Sequence, residues 1–350
     1  MTCGERLSYS EAGVDRETAA RAKRGIAELV RRTATEHVAS VPGGFGGLFH
    51  VPAGYGSPVL VSSADGVGTK LRVAMLAGRH DTVGIDLVNH CVDDILVEGA
   101  RPLFFLDYIG MGRLEAGTVE SIVAGLSAAC IDNGCALLGG ETAEMPDFYA
   151  PGEYDLAGFI VGVVEEGKRP GAHRVRRDDV LIALASNGFH TNGYSLLRRL
   201  IFDRLELTLD DEYPGTGRAV GDVLLAPHRS YLHAVLPLIE TGQVHALAHI
   251  TGGGIPENLV RVLPADVAAE VDTSTWQPPP EFAFVMEAGR VARDEMFLTF
   301  NMGIGMILAV PADHADGVVD QLAAAGERAW VAGAVRPGER AVRLAPRGRG

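Results

Sequence analysis

Three glycine-rich turns stand at the starts of helices in this chain, and that repetition limits the fold more than any other feature. The first follows the apolar run Val59–Val61. It reads Ser62-Ser63-Ala64-Asp65-Gly66-Val67-Gly68-Thr69-Lys70 and leads into a helical pattern over Leu71–Ala77. The second follows the apolar strand Val180–Ala185 and runs Asn187-Gly188-Phe189-His190-Thr191-Asn192-Gly193 into a helix over Leu196–Leu205. The third is His249-Ile250-Thr251-Gly252-Gly253-Gly254, with Pro256 suited to the first turn of the next helix. Glycine lets backbone N–H groups come close to a ligand. A helix start adds free donors and the positive end of a dipole, which suits phosphate oxygens. Asp65 would repel phosphate, so it points to a metal ion carried with it. Lys70 offers a positive point charge. The order Gly-Thr-Lys is not the phosphate loop Gly-Lys-Ser/Thr. Such a turn alone is as often only a tight connection.

The rest of the chain alternates strand and helix patterns. Residues 1–13 read as a mobile arm, followed by a helix that Asp15 could cap and that runs to about Arg32. The glycines of 42–47 read as a flexible loop. Thr82–Glu98 has Ile85, Val88, Val92 and Ile95 at helical spacing. Its Asp86, Asn89, His90, Asp93 and Asp94 fall on another face, which such patterns usually leave in solvent. The exception to weigh is Asp93-Asp94, where one carboxylate could turn inward and share a cation with Asp65. Leu103–Ile109 reads as a strand with Asp107 inside it, and Thr118–Asn133 as an amphipathic helix. Cys135–Leu138 is a short strand, expected to end at Gly139-Gly140-Glu141-Thr142-Ala143-Glu144. Leu156–Val164 is a further strand. The charged stretch Glu165–Asp179, with Pro170 and Gly171, reads as a domain boundary. After Arg336 the chain is basic, rich in Gly and Pro, and expected to fray. The class is α/β, in the α+β sense.

At 350 residues the chain has room for two cores. A net charge of −14 argues against nucleic acid as a partner, yet leaves small anionic substrates open, because local donors and Mg²⁺ can offset it. Cys3, Cys91, Cys130 and Cys135 form no C-x₂-C pair, which fits a reducing cytoplasm. No signal-peptide pattern and no apolar run of membrane-spanning length is present, so no membrane partner is expected.

Glycine turns, acidic residues at strand ends and a histidine at a turn suggest an enzyme that handles phosphorylated ligands with a divalent metal. Residues 8–15 (Ser-Tyr-Ser-Glu-Ala-Gly-Val-Asp), the Asp65–Lys70 turn, Gly139–Pro146, His190–Ser195, Thr251–Gly254 and Glu295–Met306 resemble, in order, the motifs of the phosphoribosylformylglycinamidine cyclo-ligase (AIR synthetase) family. The resemblance runs from about residue 8 to residue 335. It implies ATP-dependent closure of formylglycinamidine ribonucleotide to aminoimidazole ribonucleotide, with ADP and phosphate released. It also implies a two-domain AIR-synthetase-like fold: a mobile arm and Gly-rich loop at 1–50, an ATP-binding and dimerisation domain at 51–168, and a C-terminal α/β domain at 169–340. In that fold the N-terminal sheets of a homodimer form an intersubunit barrel.

Carried onto this chain, Asp65, Asp94 and Glu141 become the set for Mg²⁺ and nucleotide phosphates. Gly66, Gly68, Thr69, Lys70, Gly140, Thr251, Gly252 and Gly253 join them around the nucleotide, while His190, Asn192 and Lys70 take catalytic roles. The chain departs from the pattern at Asp93, where the family usually has Asn, and at His228, where it usually has Thr. Two alternatives stand beside this reading, one within the same superfamily and one of a different class. Selenophosphate-synthetase-like and hydrogenase-maturation relatives would want a reactive Cys in a glycine-rich N-terminal loop or at the C terminus. A non-catalytic nucleotide-binding subunit would be expected to lose His190 or an acidic ligand.

Overall fold

The computed structural model describes residues 25–40 and 45–346. The 1–13 arm, the cap at Asp15 and part of the 42–47 loop lie outside the described residues. The first half of the chain builds β1 (Pro58–Gly66), α1 (Lys70–Ala77), α2 (Asp81–Leu96), β2 (Arg101–Met111), α3 (Ala116–Asp132), β3 (Ala136–Glu144) and β4 (Tyr154–Glu165). Its strands form one sheet in the order β1-β4-β2-β3. β4 runs antiparallel to both neighbours, and β2 runs parallel to β3. A parallel neighbour needs a long crossover, which α3 supplies.

The second half adds β5 (Val180–Ala185), a short hairpin of β6 (Glu212–Tyr213) and β7 (Arg218–Ala219), β8 (Ala246–His249), β9 (Val267–Asp272), β10 (Ile304–Val310), β11 (Ala329–Pro337) and β12 (Ala341–Ala345). The larger sheet runs β12-β9-β11-β5-β10-β8. Only its β12–β9 pairing is parallel. β12 corrects the expectation of a frayed tail up to that point. Val342 and Leu344 flank the exposed Arg343 and pack on the core, so 341–345 holds as an edge strand.

α2 organises the whole molecule. Val83, Leu87, Val88, Cys91, Val92, Ile95 and Leu96 are buried on one side, against the first sheet and α3. The approach to α3 is close enough that a Cβ on Gly125 would sit 1.9 Å from the Asp81 carbonyl oxygen and one on Gly84 2.3 Å from that of Ile122. The expected solvated face is not solvated: Asp86, Asn89, His90 and Asp93 are all buried. Their spacing of three, four and seven residues makes a stripe, and that stripe grips the segment 226–231. Asp86 Oδ1 accepts the His228 N–H at 2.7 Å, Asn89 Nδ2 donates to the His228 carbonyl at 2.7 Å, and Asp93 Oδ1 accepts the Tyr231 N–H at 2.9 Å. An amphipathic pattern reports two kinds of surface, not which of them meets water. Here the polar one meets backbone from the second half of the chain.

Among the described residues, helices cover only one face of the first sheet. Strand alternation places Phe105, Ile109 and Leu156 under α2 and α3, while Phe104, Leu106, Tyr108 and Phe159 point the other way. On that side Leu60 is 60% and Phe159 40% exposed. Phe49 packs on Phe104 with ring centroids 5.4 Å apart, covering part of the face from the preceding segment.

Candidate active site

Asp65 sits one residue before the end of β1, in pairing register with Gly158 of β4. Its Oδ1 accepts the Gly66 N–H at 2.7 Å, and its Oδ2 meets His90 Nε2 at 2.8 Å. His90, from the α2 stripe, contacts Thr191 Oγ1 through Nδ1 at 2.9 Å. Asp94, one helical turn further, accepts Ser63 Oγ–H at 3.0 Å and His249 Nδ1–H at 2.9 Å. These groups border a cleft of about 660 Å³. Gly66 and Gly68 of the first turn, Thr191 and Asn192 of the second, and Thr251 and Gly252 of the third all line it. The three turns that stand far apart in sequence therefore share one cavity.

The electrostatics of this wall follow from the pairing. Burial opposes charge on His90, but the Asp65 hydrogen bond and the nearby Asp94 outweigh it and hold the imidazolium above its ordinary range. Burial likewise works against both carboxylates. His90 overcomes it for Asp65, and His249 does so for Asp94, so both stay below the ordinary Asp range.

Several predicted residues lie elsewhere. Lys70 does not reach the cleft. Its fully buried ammonium donates to Asp86 Oδ1 at 2.8 Å, the His190 carbonyl at 3.1 Å and the Ala226 carbonyl at 2.7 Å. An ammonium has three protons, so none is left for a phosphate. His190 is 1% exposed, with Nε2 on Asn187 Oδ1 at 3.0 Å and its ring 4.1 Å from that of His228. Burial pulls it well below the ordinary histidine range and leaves it neutral. Its φ of 58° lies in the left-handed region, and that turn puts Thr191 and Asn192 on the cleft while His190 points inward. Thr69 bonds Ser195 across the first and second turns at 3.1 Å. Gly253, with φ 87°, precedes the helix Gly254–Leu259 and lies outside the cleft lining.

Glu141 is the largest displacement. β3 does not end at its glycines but runs through them to Glu144. The register aligns Asp65, Gly158, Asp107 and Gly140 in one row across the sheet, and Glu141 opposite Tyr108 in the next. Side chains of successive rows leave opposite faces, so Glu141 points away from the face that carries Asp65. Three strand spacings of about 4.8 Å also separate their strands, β1 and β3, roughly 14 Å. Gly140 is glycine because Asp107 fills its place: a Cβ there would meet Asp107 Oδ1 at 2.2 Å. Burial pushes Asp107 up to about 7. Arg261 and Asp155 line the cleft without any sequence motif to mark them. His249 could have been found, since it opens the third turn. His228 stands out in sequence only as a departure from the family's usual Thr, and nothing local ties it to the site.

Two sheets meeting at a carboxylate- and imidazole-lined cleft with three glycine-rich walls define the class of protein. Residues 52–164 match the N-terminal domain and residues 176–344 the C-terminal domain of the AIR synthase related protein family. The fold is shared with thiamine-monophosphate kinase from Stenotrophomonas maltophilia, at TM-score 0.69 and 18% identity over 91% of this chain and 95% of that one. It is also shared with the hydrogenase maturation protein HypE in complex with ATP, at TM-score 0.66 and 16% identity over 92% and 90%. Sequence narrows the class further. Phosphoribosylformylglycinamidine cyclo-ligase of Trichlorobacter lovleyi is 49% identical over 95% of both chains, and that of Symbiobacterium thermophilum is 50% identical over 95% of this chain and 96% of its own. The chain belongs to the phosphoribosylformylglycinamidine cyclo-ligase family.

Proposed function

We propose that this cleft closes the imidazole ring of formylglycinamidine ribonucleotide at the expense of ATP, giving aminoimidazole ribonucleotide, ADP and phosphate. The observation that carries this reading is the meeting of the three glycine turns with Asp65, Asp94 and Arg261 around one cavity. The formyl oxygen is a poor leaving group. ATP transfers its terminal phosphoryl group to that oxygen, the neighbouring amidine nitrogen attacks the same carbon, and the oxygen departs as part of phosphate. Little covalent work falls to the protein, whose task is positioning and charge stabilisation. Arg261 and the backbone N–H groups of the turns hold phosphate, Asn192 and Thr191 face the forming ring, and Lys70 and His190 support the second turn from behind. If the formyl oxygen is labelled with ¹⁸O, the label appears in inorganic phosphate. Label retained in water or in ADP contradicts the phosphoryl-transfer route.

Asp65 and Asp94 also suit Mg²⁺. Both are carboxylates open to the cleft, 43% and 26% exposed in their side chains, and both are kept ionised by a histidine on their inner side. Mg²⁺ takes oxygen ligands, keeps several waters and travels with nucleotide phosphates, so two carboxylates with room beside them are enough. When bound, it would offset the charge of the transferring phosphoryl group. Glu141 is not part of this set within one chain.

The uncovered sheet face fits pairing with the same face of a second copy. An apolar sheet surface in water is a liability that a two-fold interface removes. Phe159→Arg, on the exposed row, shifts the protein from dimer to monomer in light scattering at micromolar concentration. A wild-type monomer, or a Phe159→Arg dimer of unchanged strength, removes this interface. No helix among the described residues is long and apolar enough to cross a membrane.

A further inference from the structure

Behind the cleft wall, two imidazoles turn the same ring nitrogen toward one point. The Nε2 atoms of His228 and His249 are 3.0 Å apart, and Asp93 Oδ2 lies 3.6 Å from His228 Nε2. The side chains of His228 and Asp93 are 0% exposed and that of His249 is 3%. The three candidate ligand atoms all lie within 4.8 Å of one another.

The protons around them are constrained. Asp94 Oδ1 faces His249 Nδ1 at 2.9 Å, and a carboxylate only accepts, so that nitrogen carries hydrogen and the neutral ring presents a bare Nε2. His228 Nδ1 meets Thr191 Oγ1 at 3.4 Å, where the hydroxyl can accept and leave the His228 Nε2 bare too. Asp93 Oδ1 is occupied by the Tyr231 N–H, while Oδ2 is buried and has no hydrogen-bond partner among the described residues. Either tautomer of His228 leaves that oxygen without a donor. A buried oxygen in this state is costly, and a cation at the shared point would satisfy it while replacing the hydrogen bond between the two Nε2 atoms.

We propose that Asp93, His228 and His249 form a site for a zinc-class divalent cation that ties the two halves of the chain together beneath the cleft. Two imidazoles and one carboxylate are a zinc-type donor set, and three protein ligands leave a fourth position for water. Each ligand already has the outer partner that such sites use: Asp94 on His249, Thr191 on His228 and the Tyr231 N–H on Asp93. Asp93 comes from α2 and His249 from the end of β8, with His228 in the gripped segment 226–231. The ion would therefore reinforce the seam that the α2 stripe makes. The site is separate from Asp65 and Asp94, whose free surface opens to the cleft. Because its ligands are sealed from solvent, the ion loads as the chain folds.

The test uses the full chain expressed in medium supplemented with zinc, and separately with cobalt, then purified and rinsed with EDTA. Wild type retains about one zinc per chain by plasma mass spectrometry, and the cobalt form shows the visible d–d bands of four-coordinate Co²⁺ with nitrogen and oxygen ligands. His228→Gln loses the metal and the bands, whereas Asp65→Asn keeps both. Wild type without retained zinc and without cobalt bands overturns the site, whether or not His228→Gln folds. Retention by a folded His228→Gln, or loss in Asp65→Asn, also overturns it, the latter by placing the ion in the cleft.

Discussion

Replacing Asp94 by Asn lowers turnover by about 10²–10³-fold, the usual scale for removing one group that stabilises transferring charge. Asn keeps the shape and can still accept from Ser63, but it carries no charge. It therefore weakens the hold on His249 and removes one of the two carboxylates proposed for Mg²⁺. Mg²⁺-dependent ATP binding, followed by calorimetry, weakens alongside turnover. The neighbouring residue gives the contrast. Asp93 is wholly buried and faces the 226–231 segment, and burial holds its pKa well above the ordinary Asp range. Asp93→Asn therefore leaves nucleotide affinity within a few-fold of wild type. If Asp93→Asn abolishes ATP binding and Asp94→Asn does not, the assignment of the cleft carboxylates fails.

Lys70→Met destabilises the fold by about 3–5 kcal/mol, the range found when one partner of a buried ion pair is removed. Burial pulls Lys70 down and Asp86 up in pKa, and their mutual attraction opposes both shifts. Without the ammonium, Asp86 remains as an unpaired carboxylate, and the carbonyls of His190 and Ala226 lose their donor. The double variant Lys70→Met/Asp86→Leu recovers part of the loss. Recovery is incomplete because the His228 N–H then lacks its acceptor, at about 1–3 kcal/mol. Urea unfolding midpoints measure both variants. A Lys70→Met protein of wild-type stability that had lost only ATP affinity would return Lys70 to the phosphate site.

These two residues mark how far sequence reading reached. The Asp65 turn, the second and third glycine turns and most strands could be read locally, because glycine and apolar periodicity act over a few residues. β5 falls on Val180–Ala185, as its apolar run predicts. What could not be read is direction. Lys70 follows a glycine turn that lines the cleft, but α1 begins at that residue and carries its side chain inward to Asp86. Glu141 follows a glycine pair that resembles a strand end, but Asp107 requires a glycine beside it, so β3 continues and faces Glu141 the other way. The α2 stripe looked solvated because its partner, the backbone at 226–231, lies about 140 residues downstream and carries no motif of its own. The imidazole cluster is drawn from four distant places, His90, His190, His228 and His249, and only folding brings it together.

The most direct measurement is ADP release by the purified chain with Mg²⁺ and ATP, in the presence and absence of formylglycinamidine ribonucleotide. ADP is released only when that substrate is present, with one aminoimidazole ribonucleotide formed per ADP. ADP release that ignores this substrate, or that instead requires thiamine monophosphate or selenide, contradicts the assignment.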